Sequence, residues 1–353
     1  YYTVIDSRLR NGNGGVVSWR NLLTIDSVDH GKLNAVRHAN GRDWWITCWH
    51  KSYTKYRRCL LDPSGVHDFG WQQIATFRSD WSYGQSFFSP DGRRFAAVTF
   101  SAPRNKSRID ILDFDRCTGL FSNRLQFFTP LENTPSLGLS ISPNSRYLYV
   151  SSSRDILQYD MQAANIPSTC DTVAHWDGFI DSTIVNAFWP VAFWTHQLAA
   201  NGKIYISSAN SSNYMSTIDN PNERGIACNV QQHSVHFPAR TFRTVPNFPN
   251  FRLGPVDGSV CDTLGFNAVN SHSPKETGGF IKVVPNPTNG MVYFENMPPQ
   301  ARLVFYDVLG CEVLCTENTP QVNMQFFPKG VYFCSIFAEN NRLLQTLKIV
   351  KIE

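Results

Sequence analysis

Nowhere in the 353 residues does an uninterrupted run of about 18 apolar residues occur, so the sequence offers no helix long and apolar enough to cross a membrane. Charge is sparse as well. Asp, Glu, Lys and Arg make up 17% of the chain, and 32 basic against 28 acidic residues leave a formal net charge of +4. A surplus that small and that scattered cannot neutralise a run of phosphates, which excludes nucleic acid as a partner. The motifs GxSxG, HExxH, GxGxxG, the phosphate-binding P-loop and the EF-hand loop are all missing. There is no CxxC pair and no His at zinc-finger spacing, so a structural zinc site is excluded and no cofactor is expected. The nine cysteines (Cys48, Cys59, Cys117, Cys170, Cys228, Cys261, Cys311, Cys315, Cys334) lie far apart and read as buried small side chains with one or two disulfides of open connectivity. No basic start followed by an apolar run opens the chain. It begins in strand register at Tyr1-Tyr2-Thr3-Val4-Ile5, and the expectation is that its true N-terminus, with any signal peptide, lies upstream.

What is present is apolar and aromatic: 42% hydrophobic and 13% aromatic residues suit a folded protein. No long segment has a 3.6-residue period, and 22 Gly and 20 Pro punctuate the chain every few residues, so the fold class is all-β. One phrase recurs as NAVRHANGRDWWITCW from Asn34, QSFFSPDGRRFAAVTF from Gln85, GLSISPNSRYLYVSSS from Gly138 and THQLAANGKIYISSAN from Thr195. Each copy holds a strand, a turn (Asn40-Gly41, Asp91-Gly92, Asn144-Ser145, Asn201-Gly202), a basic residue and an apolar strand. Asn-Gly and Asp-Gly supply the positive φ angles of a two-residue hairpin. Turn-to-turn spacings of 51, 53 and 57 residues, with further strands between, predict four-stranded blades of a β-propeller over residues 1–255. At ~45 to 50 residues a blade, about five blades are expected here.

From Val256 to about residue 280 the pattern lapses into Gly, Ser, Asn, Thr and Pro, as a linker does. Seven short strand candidates then follow over residues 281–353 and predict a small two-sheet sandwich. Two resemblances become specific at this point. YYTVIDSRLRNGNGG, KLNAVRHANGRDWWI, ILDFDRCTGL, SPNSRYLYVSS, NGKIYISS and PNFPNFRLGPVDGSVCDTLG resemble propeller proteins of bacteria that use type IX secretion, which implies a ring of about seven blades when complete. VVPNPTNGMVYFEN, ARLVFYDVLGCEVL, FPKGVYFCSIF and QTLKIVKIE resemble the type A sorting domain of type IX cargo. That resemblance implies an immunoglobulin-like β-sandwich, and recognition by the translocon and a sortase. It also implies passage through the periplasm, then release or attachment to surface lipopolysaccharide. The residues taken to carry the export signal are Pro285, Asn286, Pro287, Gly290, Asp307, Gly310, Gly330 and Lys348. Lys329 and Lys351 join Lys348 as charges that the translocon could meet, or as ordinary solvated lysines.

Candidates for chemistry are few. The strand before each repeated turn should be the innermost of its blade, and Asn34 to Arg37, Gln85 to Phe88, Gly138 to Ile141 and Thr195 to Leu198 contain no Asp or Glu. A hard cation wants oxygen ligands, so these strands do not predict a metal site. Arg37, Gln85, His196 and Gln197 are the candidates to line a polar mouth that takes an anion, a glycan or a protein. His233 and His236 form a close pair without a third ligand nearby. Asp110, Asp113 and Asp115 alternate with apolar residues late in a blade and read as strand and loop-entry positions. Tryptophans such as Trp44, Trp45, Trp49, Trp71, Trp81, Trp176, Trp189 and Trp194 read mainly as packing between blades. The function read from the sequence is a secreted or surface-bound binding or scaffold module. The other reading is a secreted hydrolase or lyase working at the channel mouth.

Overall fold

The computed structural model describes residues 1–52, 54–75, 84–101, 105–132, 135–181, 189–243, 245–264, 281–307, 311–339 and 343–352. Trp81 and Gly310 lie outside them. The chain divides into two compact units, Tyr1–Asn270 and Ser271–Glu353. Among the described residues both are built of antiparallel strands, with two short 3-10 turns and no α-helix.

The first unit opens with a hairpin of β1 (Tyr2–Asp6) and β2 (Gly15–Asn21). Four meanders of four strands follow. Sheet one holds β3 (Val28–Arg37), β4 (Trp44–His50), β5 (Lys55–Asp62) and β6 (Gly65–Gln73), and sheet two holds β7 (Ser86–Phe88), β8 (Arg94–Ser101), β9 (Lys106–Asp115) and β10 (Leu120–Glu132). Sheet three holds β11 (Ser136–Ile141), β12 (Tyr147–Ser152), β13 (Asp155–Asp160) and β14 (Asp171–His175). After a short pair, β15 (Ile180–Asp181) and β16 (Trp189–Pro190), sheet four holds β17 (Phe193–Leu198), β18 (Ile204–Ser208), β19 (Ser212–Ile218) and β20 (Val230–Thr241).

The recurring turns join the first and second strands of each sheet, but they are not two-residue hairpins. Only the second residue of each pair has positive φ: Gly41 (76°), Gly92 (72°), Ser145 (59°) and Gly202 (82°). Asn40, Asp91, Asn144 and Asn201 instead turn their side-chain Oδ1 onto the N–H two residues on, at 3.0, 3.0, 3.1 and 3.2 Å. That is the Asx turn, which Asn and Asp make and Gly cannot. The Asn-Ser copy keeps the same side-chain bond, and Ser145 itself takes the left-handed φ that glycine takes in the other three.

Side chains alternate across each strand, and the sheets stack in chain order because both faces of the middle sheets are apolar. Phe95, Ala97, Leu112 and Phe114 of sheet two meet Trp45, Trp49 and Tyr56 of sheet one. Ala96, Val98, Ile109 and Ile111, on the opposite face, meet Leu139, Ile141, Leu148 and Val150 of sheet three. Tyr147, Tyr149 and Ile156 then meet Phe193, Ile204 and Ile206 of sheet four. Successive sheets meet at their first strands, β3 with β7, β7 with β11 and β11 with β17, and β11 also packs on β8. The approach there is close: a Cβ added to Gly138 would lie 1.8 Å from the Trp194 carbonyl oxygen.

Two buried charge sites lie in the stack, one between sheets and one within sheet two. Lys32 is fully buried, and its Nζ donates to the carbonyls of Gly84 (2.8 Å) and Val98 (2.6 Å), binding sheet one to sheet two. Burial pushes its pKa down to about 8. Asp110, also fully buried, accepts from Arg108 (3.0 Å), Arg124 (2.9 Å) and Gln126 (3.0 Å). Asp113 accepts from Asn123 on the paired strand β10, and Asp115 serves the β9–β10 turn, accepting from the Cys117 N–H and from Thr118.

Beyond β20 the chain does not leave the first unit where the composition lapses. Val256 N–H bonds the Ala39 carbonyl at 2.8 Å, and Cys261 forms a disulfide with Cys117 in the β9–β10 turn, 144 residues away. Residues 256–262, read as linker from composition, are thus fastened to the first unit. Cys48, Cys59, Cys228 and Cys334 are buried free thiols, Cys170 is half-buried, and Cys311 and Cys315 are exposed.

The second unit pairs β21 (Lys282–Val284), β22 (Met291–Glu295) and β25 (Gln321–Asn323) in one sheet. Its other sheet orders β24 (Glu312–Glu317), β23 (Arg302–Tyr306), β26 (Gly330–Phe337) and β27 (Leu343–Lys351). One core lies between them, including Val292, Phe294, Leu303, Phe305, Val322, Cys334, Ile336 and Ile349.

Two outcomes follow. Seven thiols should titrate in the denatured, unreduced protein and nine after reduction; Cys117→Ser should raise the first count to eight and lower the stability of the first unit by about 2–5 kcal/mol in urea unfolding. Gly138→Ala should destabilise that unit by about 2–4 kcal/mol, because the Trp194 carbonyl in the way of the new methyl is backbone and β11 has to move away from β17.

Candidate functional site

The first strands β3, β7, β11 and β17 surround a cavity of about 600 Å³, closed on one side by the segment Asn247–Leu253. A sequence rich in Pro and Asn cannot continue the sheet, so this segment crosses the strands as a strap. It is held by side-chain to backbone bonds made in both directions. Arg37 donates to the Phe251 carbonyl (3.0 Å) and Arg252 to the Ala200 carbonyl (3.3 Å), Asn250 donates to the Pro90 carbonyl (2.9 Å), and Arg116 reaches the Gly254 carbonyl. Phe251 also packs edge-on against Trp44 with ring centroids 5.5 Å apart.

The four residues expected at this mouth have different placements. Arg37 stacks over Trp44 at 4.7 Å and donates to Gly41 and Phe251 carbonyls, so its guanidinium anchors the turn and the strap. The amide of Gln85 links β11 and β17. Its Oε1 accepts from Leu139 N–H (3.1 Å) and His196 N–H (2.7 Å), while its Nε2 donates to the His196 carbonyl (2.9 Å). His196 is fully buried with Nδ1 3.0 Å from Ser140 Oγ, and burial pushes its pKa down to about 3. Gln197 lines the cavity, 7% exposed, with Nε2 donating to the Leu198 carbonyl and Oε1 without a hydrogen-bond partner. Gln85 and His196 therefore meet in one network between strands, whereas Gln197 faces the cavity.

Most of the lining is apolar: Leu33, Val36, Phe87, Ile141, Phe248 and Leu253 are among it. A mouth expected to be polar and mildly basic is thus largely hydrocarbon. Reading only the polar members of the innermost strands missed this; the alternate residues Leu33, Ala35, Phe87 and Ile141 were visible in the same strands.

The remaining candidates are accounted for locally. His233 bonds Asp177 (2.9 Å) and stacks on Phe179, and His236 packs on Tyr214. Among the described residues no group of three or more His, Cys, Asp or Glu is placed to hold a metal ion. Trp45 and Trp49 lie in the core between sheets one and two. Burial pushes the thiols of Cys48, Cys59 and Cys228 up to about 11 and that of Cys334 to about 12, so none of them is a ready nucleophile.

In the second unit the loop Pro285-Asn286-Pro287-Thr288 is clasped to the last strand. Asn286 donates Nδ2 to the Lys348 carbonyl (2.6 Å) and accepts the Val350 N–H (2.9 Å). Thr288 exchanges backbone bonds with Val350 and Ile352, and its Oγ1 takes the Gly290 N–H at 3.1 Å. Asp307 accepts the Cys311 N–H at 2.9 Å, and Gly330 opens β26 opposite Lys351. Lys329 and Lys348 are exposed. Lys351 is only 2% exposed, a correction to its reading as a solvated or translocon-facing charge: it sits in the strand-end bridge with Thr288.

Residues 282–351 match the family model of the secretion system C-terminal sorting domain. The chain therefore carries a type IX sorting module, meets that secretion machinery, and is exported to the cell surface or the medium. No curated protein is significantly similar to it in sequence. Among solved structures it is similar to PorZ, a surface component of the type IX secretion system of Porphyromonas gingivalis, at 13% identity and TM-score 0.37, over 97% of this chain and 48% of that one. The chain thus spans about half the length of PorZ. It is also similar to putative 6-phosphogluconolactonases of Bacteroides uniformis (12%, TM-score 0.36, 89% and 73% covered) and Bacteroides fragilis (10%, 0.35, 97% and 88%). Superpositions this loose carry no argument about activity, and the architecture rests on the strand pairing.

The buried imidazole sets a pH dependence. An unfolded His196 binds its proton near pH 6.5, whereas the folded one stays neutral down to about 3. Between those values the unfolded chain binds more protons, so stability is complete above 6.5 and is lost as pH falls. Urea unfolding at about pH 4.5 should cost about 2–3 kcal/mol through this group relative to pH 7, and His196→Gln should remove that part of the acid slope.

Proposed function

We propose that this is a non-catalytic binding or scaffold protein of the cell surface, whose body is a β-propeller and whose second unit, an immunoglobulin-like sandwich, directs its export. The observation that carries the reading is the stacking of four consecutive meanders with their first strands adjacent, joined to a module that matches the sorting family. The β1–β2 hairpin supports a longer ring. β1 ends in Asp6, whose carboxylate accepts the N–H two residues on at 2.9 Å, as Asp62, Asp115 and Asp160 do at the ends of the third strands β5, β9 and β13. By that equivalence β1 and β2 are the third and fourth strands of a further blade, in keeping with a complete ring of about seven.

The binding role is favoured over catalysis by how the polar groups at the convergence are used. Gln85 and Arg37 spend their hydrogen bonds on backbone carbonyls and amides, and His196 is neutral and enclosed. General acid-base work needs two titratable groups within reach of one substrate. The ligand of such a body is a surface glycan, a protein or a small molecule. Translocon and sortase are the partners of the sorting module, and lipopolysaccharide is the anchor proposed for the delivered protein.

Residues 281–353, placed behind a signal peptide and a neutral reporter in a host with type IX secretion, should carry the reporter to the surface or medium, because the module has its own core. Reporter retained in the periplasm would contradict the reading. Asn286→Ala with Thr288→Val, which unfastens the loop from β27, should reduce the exported fraction severalfold, measured by fractionation.

A further inference from the structure

We propose that the outer face of the four-stranded sheet in the second unit is the surface that the secretion machinery docks on, through the side-chain row Glu312, Tyr306, Phe333 and Lys348. The partner there is a protein surface with an apolar recess for the two rings and a carboxylate set against Lys348. The proposal rests on the second unit being the export signal and names the face that is read. Three observations support it.

The first is what the face presents. Leu303, Phe305, Cys334, Ile336 and Ile349 point into the core, so their chain neighbours in β23, β26 and β27 point away from it. Strand pairing sets these outward residues in rows across the sheet. Cys315, Val304, Ser335 and Thr346 form one row, and Glu312, Tyr306, Phe333 and Lys348 form the next. Val304 is only 1% exposed although it lies on the outer face, so the side chains around it are closely packed, while Phe333 in the next row is 39% exposed. A ring held on a packed sheet is an anchor that loses little freedom on binding. The outer face of the smaller sheet carries Tyr293 and Val284, but Gln321 stands opposite Tyr293 and the charged pair Lys282 and Glu295 crosses it.

The second is charge. Lys348 and Glu312 are exposed, and neither forms an ion pair among the described residues. With an acid at one end of the row, a base at the other and two rings between, the face has a direction, which a partner of complementary charge reads.

The third is continuity with the family-like motifs. Asp307 follows β23, Gly330 opens β26 and Lys348 lies in β27, so residues far apart in the chain belong to three neighbouring strands of this one sheet. The Asn286 loop bonds the Lys348 carbonyl and the Val350 N–H, which fixes the strand from which Lys348 stands opposite Phe333. Four strands about 4.8 Å apart and some six residues long give a face of roughly 350 Å². That is under half of the ~800 Å² per partner of a stable complex, too little to hold a second copy and enough for a transient contact.

The test uses the full chain in a host with type IX secretion. The photoreactive residue p-benzoylphenylalanine in place of Phe333 should, on irradiation, give an adduct with an outer-membrane protein of that machinery, identified by mass spectrometry. In place of Tyr293 on the other sheet it should give about tenfold less. Lys348→Glu and Phe333→Ser should each reduce the exported fraction about three- to tenfold, whereas Lys348→Arg and Tyr293→Ser should be exported like the unsubstituted chain. The urea midpoint of each purified variant should match that of the unsubstituted chain, since a merely structural role would lower it. Equal adducts from the two positions, adducts only between two copies of this chain, full export of both Lys348→Glu and Phe333→Ser, or an export loss that tracks a lowered midpoint would each overturn the proposal. Retention of the unsubstituted chain in the periplasm would instead overturn the export reading on which the proposal rests, so the two failures are told apart.

Discussion

Four sheets that stack face to face through bulky cores bring their first strands β3, β7, β11 and β17 together around the cavity, and between β11 and β17 the backbones come too close for a side chain at position 138. Everything else in the first unit accommodates that convergence. Gly138 gives β17 room against Trp194, and the amide of Gln85 supplies hydrogen bonds to two strands whose facing edges are not paired by a ladder. His196 fills the same junction as a neutral, dry imidazole bonded to Ser140. Buried polar groups in such a place have to be satisfied or they cost stability; the Gln85 amide meets that demand, whereas His196 bonds through Nδ1 and its Nε2 has no hydrogen-bond partner.

Convergence also creates the cavity. Strand ends that draw together but do not close leave a gap, and the gap is covered by a strap that makes no strand of its own. Pro249 has no N–H to give a ladder; Arg37 satisfies the Phe251 carbonyl, and the strap's own Asn250 and Arg252 side chains donate to the carbonyls of Pro90 and Ala200. The disulfide between Cys117 and Cys261 fastens the chain just beyond the strap to the β9–β10 turn. A wall held in this manner is fastened to the fold at several points and is largely apolar.

The second unit obeys a different constraint. A small two-sheet module has little core to spare, and here the loop at Asn286 and Thr288 bonds the last strand on both sides of Val350. The family-like motif near the module's start and the strand near its finish are thereby one local structure. Lys351 takes part in it from a buried position, and Lys329 and Lys348 are left on the outside. An export signal that is a folded surface needs this kind of internal fastening, because a receptor reads strands and turns in fixed relation.

The sequence by itself determined the all-β class, the position of every recurring turn and the seven strands of the second unit, because each depends on residues close together in the chain. Turn chemistry and strand alternation are local, so Asn40, Asp91, Asn144 and Asn201 could be placed, although their Asx geometry differs from the two-residue hairpin expected. The sorting motif was legible for the same reason. Only the tertiary structure decided what Arg37, Gln85, His196 and Gln197 do, since their partners Phe251, Leu139, Ser140 and the strap lie on other strands or far along the chain. The burial of Lys32 and Asp110, the pairing of Cys117 with Cys261 and the enclosure of Lys351 were likewise invisible beforehand. A charged or polar residue looks exposed in a sequence, and whether it is depends on a carbonyl or counter-charge that folding brings from elsewhere.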